Sequence, residues 1–311
     1  MSRGELPDWL PAWCVDQLGD EPVGVLFERR SISAVFGLRL AGGQDVVVKA
    51  REDDGRVASC LTAQAVLAER GFPCARPLTA AVGVGALAVH AERYLPGGEL
   101  LRGDSPDVAV RYAAVFARLM AALVGVTVAP PLPNPRWVRW DHTDAGVWPA
   151  IGFLDERDQS GVPADIVETA ERARRRLLAA DLPCVLGHAD FEAQNLRWLD
   201  GHVWAVHDWD SLAWQPEAAL AGAACGTFAS ASPPTLAPID SSAAFLAAYQ
   251  DLRGRRFTAE EQEIAWAASL WPAAHNARWE ALHGDPPVCC DAVRAQAAER
   301  LRRANAWHDR R

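Results

Sequence analysis

Three polar residues at fixed spacing, Asp190, Asn195 and Asp208, are the ones whose types could do chemistry together. A carboxylate can take a proton from a hydroxyl, and an amide oxygen beside a second carboxylate suits a hard divalent cation such as Mg2+. Residues 195–199 and 202–206 read as two strands joined by Asp200-Gly201, a strong hairpin signal. A two-residue turn sets Leu199 opposite His202 and Asn195 opposite Val206. Asp208 then shares a face with Asn195, at a diagonal spacing that one metal ion could bridge. Leu196, Trp198, Val203 and Ala205 fall on the other face, with His207, and supply the apolar side that must pack. Asp190 is expected in a tight loop marked by Gly187 and His188 after a short strand at 184–186. His188 reads as a residue that fixes this loop by hydrogen bonding.

The elements that must position these groups divide into two styles. Strand-like runs at 23–29, 34–40 and 45–50, the last two joined across Ala41-Gly42-Gly43-Gln44, are followed by a helix at 57–70 that stops at Gly71 and Pro73. A further strand at 86–95 ends at Pro96-Gly97-Gly98, the expected boundary between residues 1–95 and 96–311. Beyond it the pattern turns helical. Val108, Tyr112, Val115, Leu119 and Leu123 recur at helical spacing, as do Ile166, Ala170, Ala173 and Leu177 behind Pro163. Residues 128–135 and 232–234 read as loops, and Arg174–176 as a solvated helix face.

Composition narrows the class. The chain of 311 residues is long enough for two lobes, and 50% hydrophobic with 23% charged residues is ordinary globular protein. Its 31 Lys and Arg against 40 Asp and Glu give a net charge of −9, which argues against tight binding to nucleic-acid phosphates. Seven scattered cysteines, without C-x-x-C spacing, read as reduced core residues. Neither a signal peptide nor an apolar run long enough to span a bilayer is expected, which implies a cytoplasmic protein without membrane or nucleic-acid partners.

His188-x-Asp190-x-x-x-x-Asn195, followed by Asp208 after a hairpin, resembles the catalytic loop and metal-binding aspartate of protein-kinase-like phosphotransferases. The His-x-Asp form without arginine is similar to the aminoglycoside phosphotransferase and choline kinase branch. The resemblance implies an α+β, two-lobed protein-kinase-like fold, with a small N-terminal β-sheet lobe carrying one helix and a larger helical lobe. It implies ATP and Mg2+ as cofactors and a small-molecule hydroxyl, as in an aminoglycoside, amino sugar or amino alcohol, as phosphate acceptor. By that resemblance Asp190 is the catalytic base, and Asn195 and Asp208 hold metal. Lys49 steadies the phosphates, Ser31 and Ser33 lie in the loop covering them, and the strand around Glu92 and Tyr94 meets the purine. His275, Asn276, Trp279 and Glu280 would stand in the acceptor wall, read as acidic and tryptophan-bearing and so suited to cationic or sugar-like molecules.

The sequence departs from that pattern in three places. The phosphate loop is not rich in glycine, and no helix glutamate is placed to pair with Lys49, Gln64 being the nearest polar residue. Glu217 only approximates a further acidic residue after Asp208, and Asp210 is open between a second metal contact and a loop role. Two other classes therefore compete. One is a metal-dependent hydrolase using His188, Asp190 and Asp208, and the other a nucleotide-binding regulator without turnover.

Overall fold

The computed structural model describes residues 6–128, 134–229 and 235–306. The loops expected at 128–135 and 232–234 therefore fall largely outside the described residues.

Helix α1 (Trp9–Leu18) leads into five antiparallel strands, β1 (Pro22–Arg30), β2 (Ala34–Leu40), β3 (Asp45–Glu52), β4 (Val82–Val84) and β5 (Leu87–Arg93), ordered β1-β2-β3-β5-β4. Alternation along the strands divides the sheet cleanly. Phe36, Leu38, Leu40, Val46, Val48, Ala50, Val89 and Ala91 pack against Leu10, Trp13 and Cys14 of α1. The register pairs Val35 with Lys49 and Lys49 with His90, so Lys49, Arg51, His90 and Glu92 share the opposite face. That face meets α2 (Val57–Glu69), whose Val57 and Leu61 pack on Ala88 while Cys60, Ala63 and Leu67 join the larger core.

The remainder is mostly helical, as its spacing predicts: α3 (Pro106–Leu123), a short α4 (Gly152–Asp155), α5 (Ala164–Leu178), α6 (Glu217–Thr227), α7 (Ile239–Arg253), α8 (Ala259–Ala268), α9 (Trp271–His283) and α10 (Val288–Arg303). Helix α3 starts where Ser105 accepts a hydrogen bond from the Val108 amide and Pro106 takes the first turn. The arginines of α5 are less free than expected, since Arg174 donates to the carbonyls of Trp140 and His142 and Arg176 pairs with Glu263. Six of the seven cysteines are buried free thiols, whereas Cys184 is exposed.

Two small ribbons sit between the sheet and the helices. Strand β6 (Cys184–His188) pairs with β9 (Leu212–Pro216), and β7 (Leu196–Leu199) pairs with β8 (His202–Val206). Gly187 lies within β6 and not in a loop as expected. A β-carbon there would come 2.4 Å from Leu220 Cδ1, so glycine lets α6 close on the ribbon. The β7–β8 register also departs from expectation. Leu196, not Asn195, faces Val206, because Trp204 is an extra residue between the Arg197–Ala205 and Trp198–Val203 pairs. Trp204 bulges outward and donates its indole N–H to the Pro96 carbonyl at 3.1 Å. Glu99 pairs with Trp198 along the free side of β7, and Cys74 bridges Val206 along the free side of β8. Among the described residues no helix is long and apolar enough to cross a membrane.

Candidate active site

The loop between β6 and β7 is built around His188, which is wholly buried. Its Nδ1 accepts the Asp190 backbone N–H at 3.3 Å, and its Nε2 lies 3.0 Å from the His207 carbonyl. With Nδ1 accepting, Nε2 donates, which fixes the neutral tautomer. Burial agrees by lowering the imidazole to about 4. His188 thus ties the Asp190 loop to the segment preceding Asp208, and both ring nitrogens are used in doing so.

Asn195 is not a strand residue. It ends a 3-10 turn (Ala193–Asn195), and its side-chain N–H2 donates to the Asp190 carbonyl at 2.9 Å and to the Asp190 carboxylate at 3.2 Å. Its Oδ1 keeps no protein partner among the described residues. Asp208 lies beyond β8 in the left-handed region at φ 60°, uncommon for a residue with a β-carbon. The shared strand face expected for Asn195 and Asp208 is therefore absent. A turn on one side and a left-handed residue on the other take its place, linked by the His207 N–H donating to the Asn195 carbonyl at 2.8 Å.

Lys49 supplies the facing charge. Its Nζ lies 2.9 Å from the Glu92 carboxylate, which also accepts from Gln64 Nε2 at 2.9 Å. The partner missing from α2 is thus provided by β5. Gln64 supports the glutamate and does not replace it, its second bond running to the Ala75 carbonyl. Burial alone would depress the Lys49 ammonium, but Glu92, Asp208 and Asp210 outweigh it and hold the group above its usual value. The backbone around Glu92 is flanked by β3 on one side and by residues 76–78 on the other. Arg93 donates to the Arg76 carbonyl, and Tyr94 to the Asp45 carbonyl. The Tyr94 ring packs 5.7 Å from Phe27 of β1. Ser31 and Ser33 form the tight turn joining β1 to β2, closed by the Ser31 N–H on the Ser33 carbonyl.

The loop side of the cleft is crowded with acids. Burial, together with the charges of Glu192 and Asp208, raises the Asp190 carboxyl well above its ordinary range. Glu192, absent from the expected set, is buried and pushed up to about 7 by burial, although Asn276 and Gln194 bond it and pull the other way. Asp208 rises to about 6 through burial and its neighbour Asp210. The signal for Glu192 was its position two residues after Asp190, on a loop that must turn back toward its own start.

Other expected neighbours lie elsewhere. Glu217 accepts from Tyr249, Arg253 and Arg255, and so fastens α6 to α7. Glu280 accepts the Cys289 and Cys290 amides at the start of α10, while α9 reaches Glu192 through Asn276. His275 is buried, while Asn276 and Trp279 keep partial exposure. Asp210 is bound by Arg51 of β3.

The donor set fits a hard divalent cation. Asn195 Oδ1 and the Asp208 carboxylate, which has no protein hydrogen-bond donor among the described residues, are both oxygens that such an ion prefers. The hydrolase reading finds no comparable set. Both His188 nitrogens are spent, and among the described residues no three or more His, Cys, Asp and Glu side chains are placed to hold a metal. The regulator reading loses its main support once Glu92 is seen to pair with Lys49.

The backbone arrangement recurs in solved structures. Amicoumacin kinase hAmiN, solved in complex with AMP-PNP, Ca2+ and Ami, superposes with TM-score 0.63 at 11% identity, over 93% of this chain and 90% of the other. A spectinomycin phosphotransferase solved with ADP and spectinomycin gives 0.58 at 9% identity, over 99% and 96%. An aminoglycoside phosphotransferase from Alicyclobacillus acidocaldarius gives 0.52 at 13% identity, over 98% and 95%. At these identities the likeness establishes the two-lobed kinase-like fold. No curated protein matches the sequence. A sequence model of the phosphotransferase enzyme family matches residues 32–238, about two thirds of the chain, including Lys49, Glu92, Asp190, Asn195 and Asp208. The chain belongs to that phosphotransferase family.

Proposed function

We propose that this phosphotransferase moves the γ-phosphoryl group of ATP to a hydroxyl of a small molecule, an aminoglycoside, amino sugar or amino alcohol, in the cytoplasm. The observation that carries the reading is the approach of Asn195 to the Asp190 carboxylate, across from a Lys49 whose ammonium is held charged by Glu92 and Asp208. Asp190 accepts the proton of the acceptor hydroxyl as the phosphoryl group arrives. Lys49 steadies the nucleotide phosphates, and the Ser31–Ser33 turn covers them. The purine lies against the strand end near Glu92 and Tyr94, at the junction of residues 1–95 with 96–311. Asn195 and Asp208 hold Mg2+, which when bound neutralises charge on the transferring group. Asn195 also keeps the Asp190 carboxylate aimed, so that one amide serves both partners.

The acceptor class is supported by charge. Asp190 and Glu192 face the cleft with amide partners but no protein cation among the described residues, so an ammonium on the acceptor would relieve their crowding. Trp279, three residues after Asn276 on α9, stacks one ring face on His283 at 4.2 Å, and a free opposite face would suit an ammonium. The test is release of the nucleoside diphosphate, ADP from ATP or GDP from GTP, across a panel of aminoglycosides, amino sugars and small alcohols, repeated with Asp190→Asn. Turnover confined to amine-bearing acceptors and lost in the variant is the expected result. Equal turnover in the variant would remove Asp190 as base, and release with no acceptor at all would remove the transferase reading.

A further inference from the structure

Asp210 is held in a way that a metal ligand is not. Strand β3 presents Lys49 and Arg51 two residues apart on one face, and the turn after β8 presents Asp208 and Asp210 at the same spacing. Lys49 feels both aspartates, while Arg51 is bonded to Asp210. Arg56, at the start of α2, donates to the Asp210 carbonyl at 3.0 Å and pairs with Asp54 at 2.7 Å. Both guanidinium groups stack against Trp137, at 5.1 and 5.8 Å from its ring, and both arginines are nearly buried, at 7% and 3% exposure. Three segments remote in sequence thus meet here, the stretch 51–56, Trp137 and the turn at 208–210. Turning the Asp210 carboxylate to a cation would take from the buried Arg51 its nearest counter-charge and leave it Asp54 at 4.0 Å, a costly arrangement.

We propose that Arg51 is a positioning residue: by fastening Asp210 beneath Trp137 it fixes the turn that presents Asp208 to the cleft. That turn needs fastening. Asp208 sits in the left-handed region, where a side chain is uncommon and costs energy, and within the turn the Ser211 N–H donates to the Asp208 carbonyl at 2.9 Å. Arg51 and Arg56 belong to the sheet side and Asp210 and Trp137 to the helical side, so the same contact sets the cleft's width beside Lys49. The consequence for turnover rests on the phosphotransfer reading. The fastening itself does not.

The test is a double-mutant cycle of Arg51→Met and Asp210→Asn, with Arg51→Lys as a milder variant should Arg51→Met not fold. Thermal unfolding of the protein without nucleotide or metal reads the fastening directly. Each single variant should lower the midpoint by roughly 5 to 10 °C, and the double variant should fall no further than the worse single one. Where ATP and Mg2+ support turnover, kcat should fall about tenfold in every variant, with the acceptor KM within about twofold. Additive losses in thermal midpoint would overturn the coupling. A half-saturating Mg2+ concentration raised about tenfold by Asp210→Asn, but unmoved by the Arg51 variants, would make Asp210 a metal ligand and overturn the proposal. Failure of turnover in the wild-type protein would count against the phosphotransfer reading and leave the thermal cycle to decide the fastening.

Discussion

The two walls of the cleft handle charge in opposite ways. On the sheet wall Lys49, Glu92 and Gln64 form a closed set, in which each charged group meets a counter-charge or a hydrogen bond inside the protein. On the loop wall Asp190 and Glu192 have amide partners and Asp208 has none among the described residues, and all three carboxyls are raised by burial and by neighbouring acids. A satisfied set is rigid before any ligand arrives, whereas a set of unbalanced acids stores repulsion that a cation relieves. On the proposed reading the sheet wall is thus a finished receptor for phosphates. The loop wall is completed by what binds to it.

The strongest way to break this contrast is Asp190→Asn. Turnover should drop by roughly 10² to 10⁴-fold, while the thermal shift given by ATP stays within about 1 °C of wild type. Nucleotide binding lost together with turnover would mean that the loop wall also shapes the receptor. Next in size is Glu92→Gln, which takes from the buried Lys49 ammonium the counter-charge in contact with it and leaves it Asp208 and Asp210. Urea unfolding should show about 3 to 5 kcal/mol of lost stability, most of it recovered in a Lys49→Met/Glu92→Leu double variant. An intact single variant would show that the closed set is not what holds this wall.

Mg2+ without nucleotide should stabilise the protein by about 2.7 kcal/mol at a concentration a hundred times its dissociation constant, and Asp208→Asn should abolish the gain. The smallest effect sharpens the contrast away from the cleft. Burial lowers His275 to about 4, below the ordinary value near 6.5. A base depressed on folding contributes stability that is full above its unfolded pKa and is lost as pH falls toward its folded one. His275→Leu should therefore remove about 2 kcal/mol of the difference in stability between pH 7.5 and pH 5, read by urea unfolding at the two values. An unchanged acid response would place the protonation elsewhere.

Much of the architecture was legible because alternation and helical spacing are strong signals where one face is buried. The boundaries of β2 and the start of α2 fall where the pattern places them. Helix α1 was not legible. Pro11 sits in its first turn, and its residues are apolar on several sides, so it shows no polar face to mark a helix. The hairpin register failed at a single residue. Nothing local announces that Trp204 bulges, because the cause is a bond to Pro96, more than a hundred positions earlier. Among the site residues, the segment 188–208 was readable through spacing along one stretch of chain. The pairs Lys49–Glu92 and Arg51–Asp210 were not, since a strand places a partner according to tertiary register and not sequence distance.

Gly98 has a consequence for how the molecule can move. A β-carbon there would lie 2.8 Å from Arg197 Cβ, and its φ of +74° already favours glycine, so the chain after β5 runs flush against the hairpin. With Glu99 laced to one margin and Cys74 to the other, the hairpin is sewn into the stalk of the small lobe. On the phosphotransfer reading, rocking that lobe outward to discharge spent nucleotide would tug on the Asp208 turn in the same stroke, so that unloading the product and loosening a bound ion would become one mechanical event.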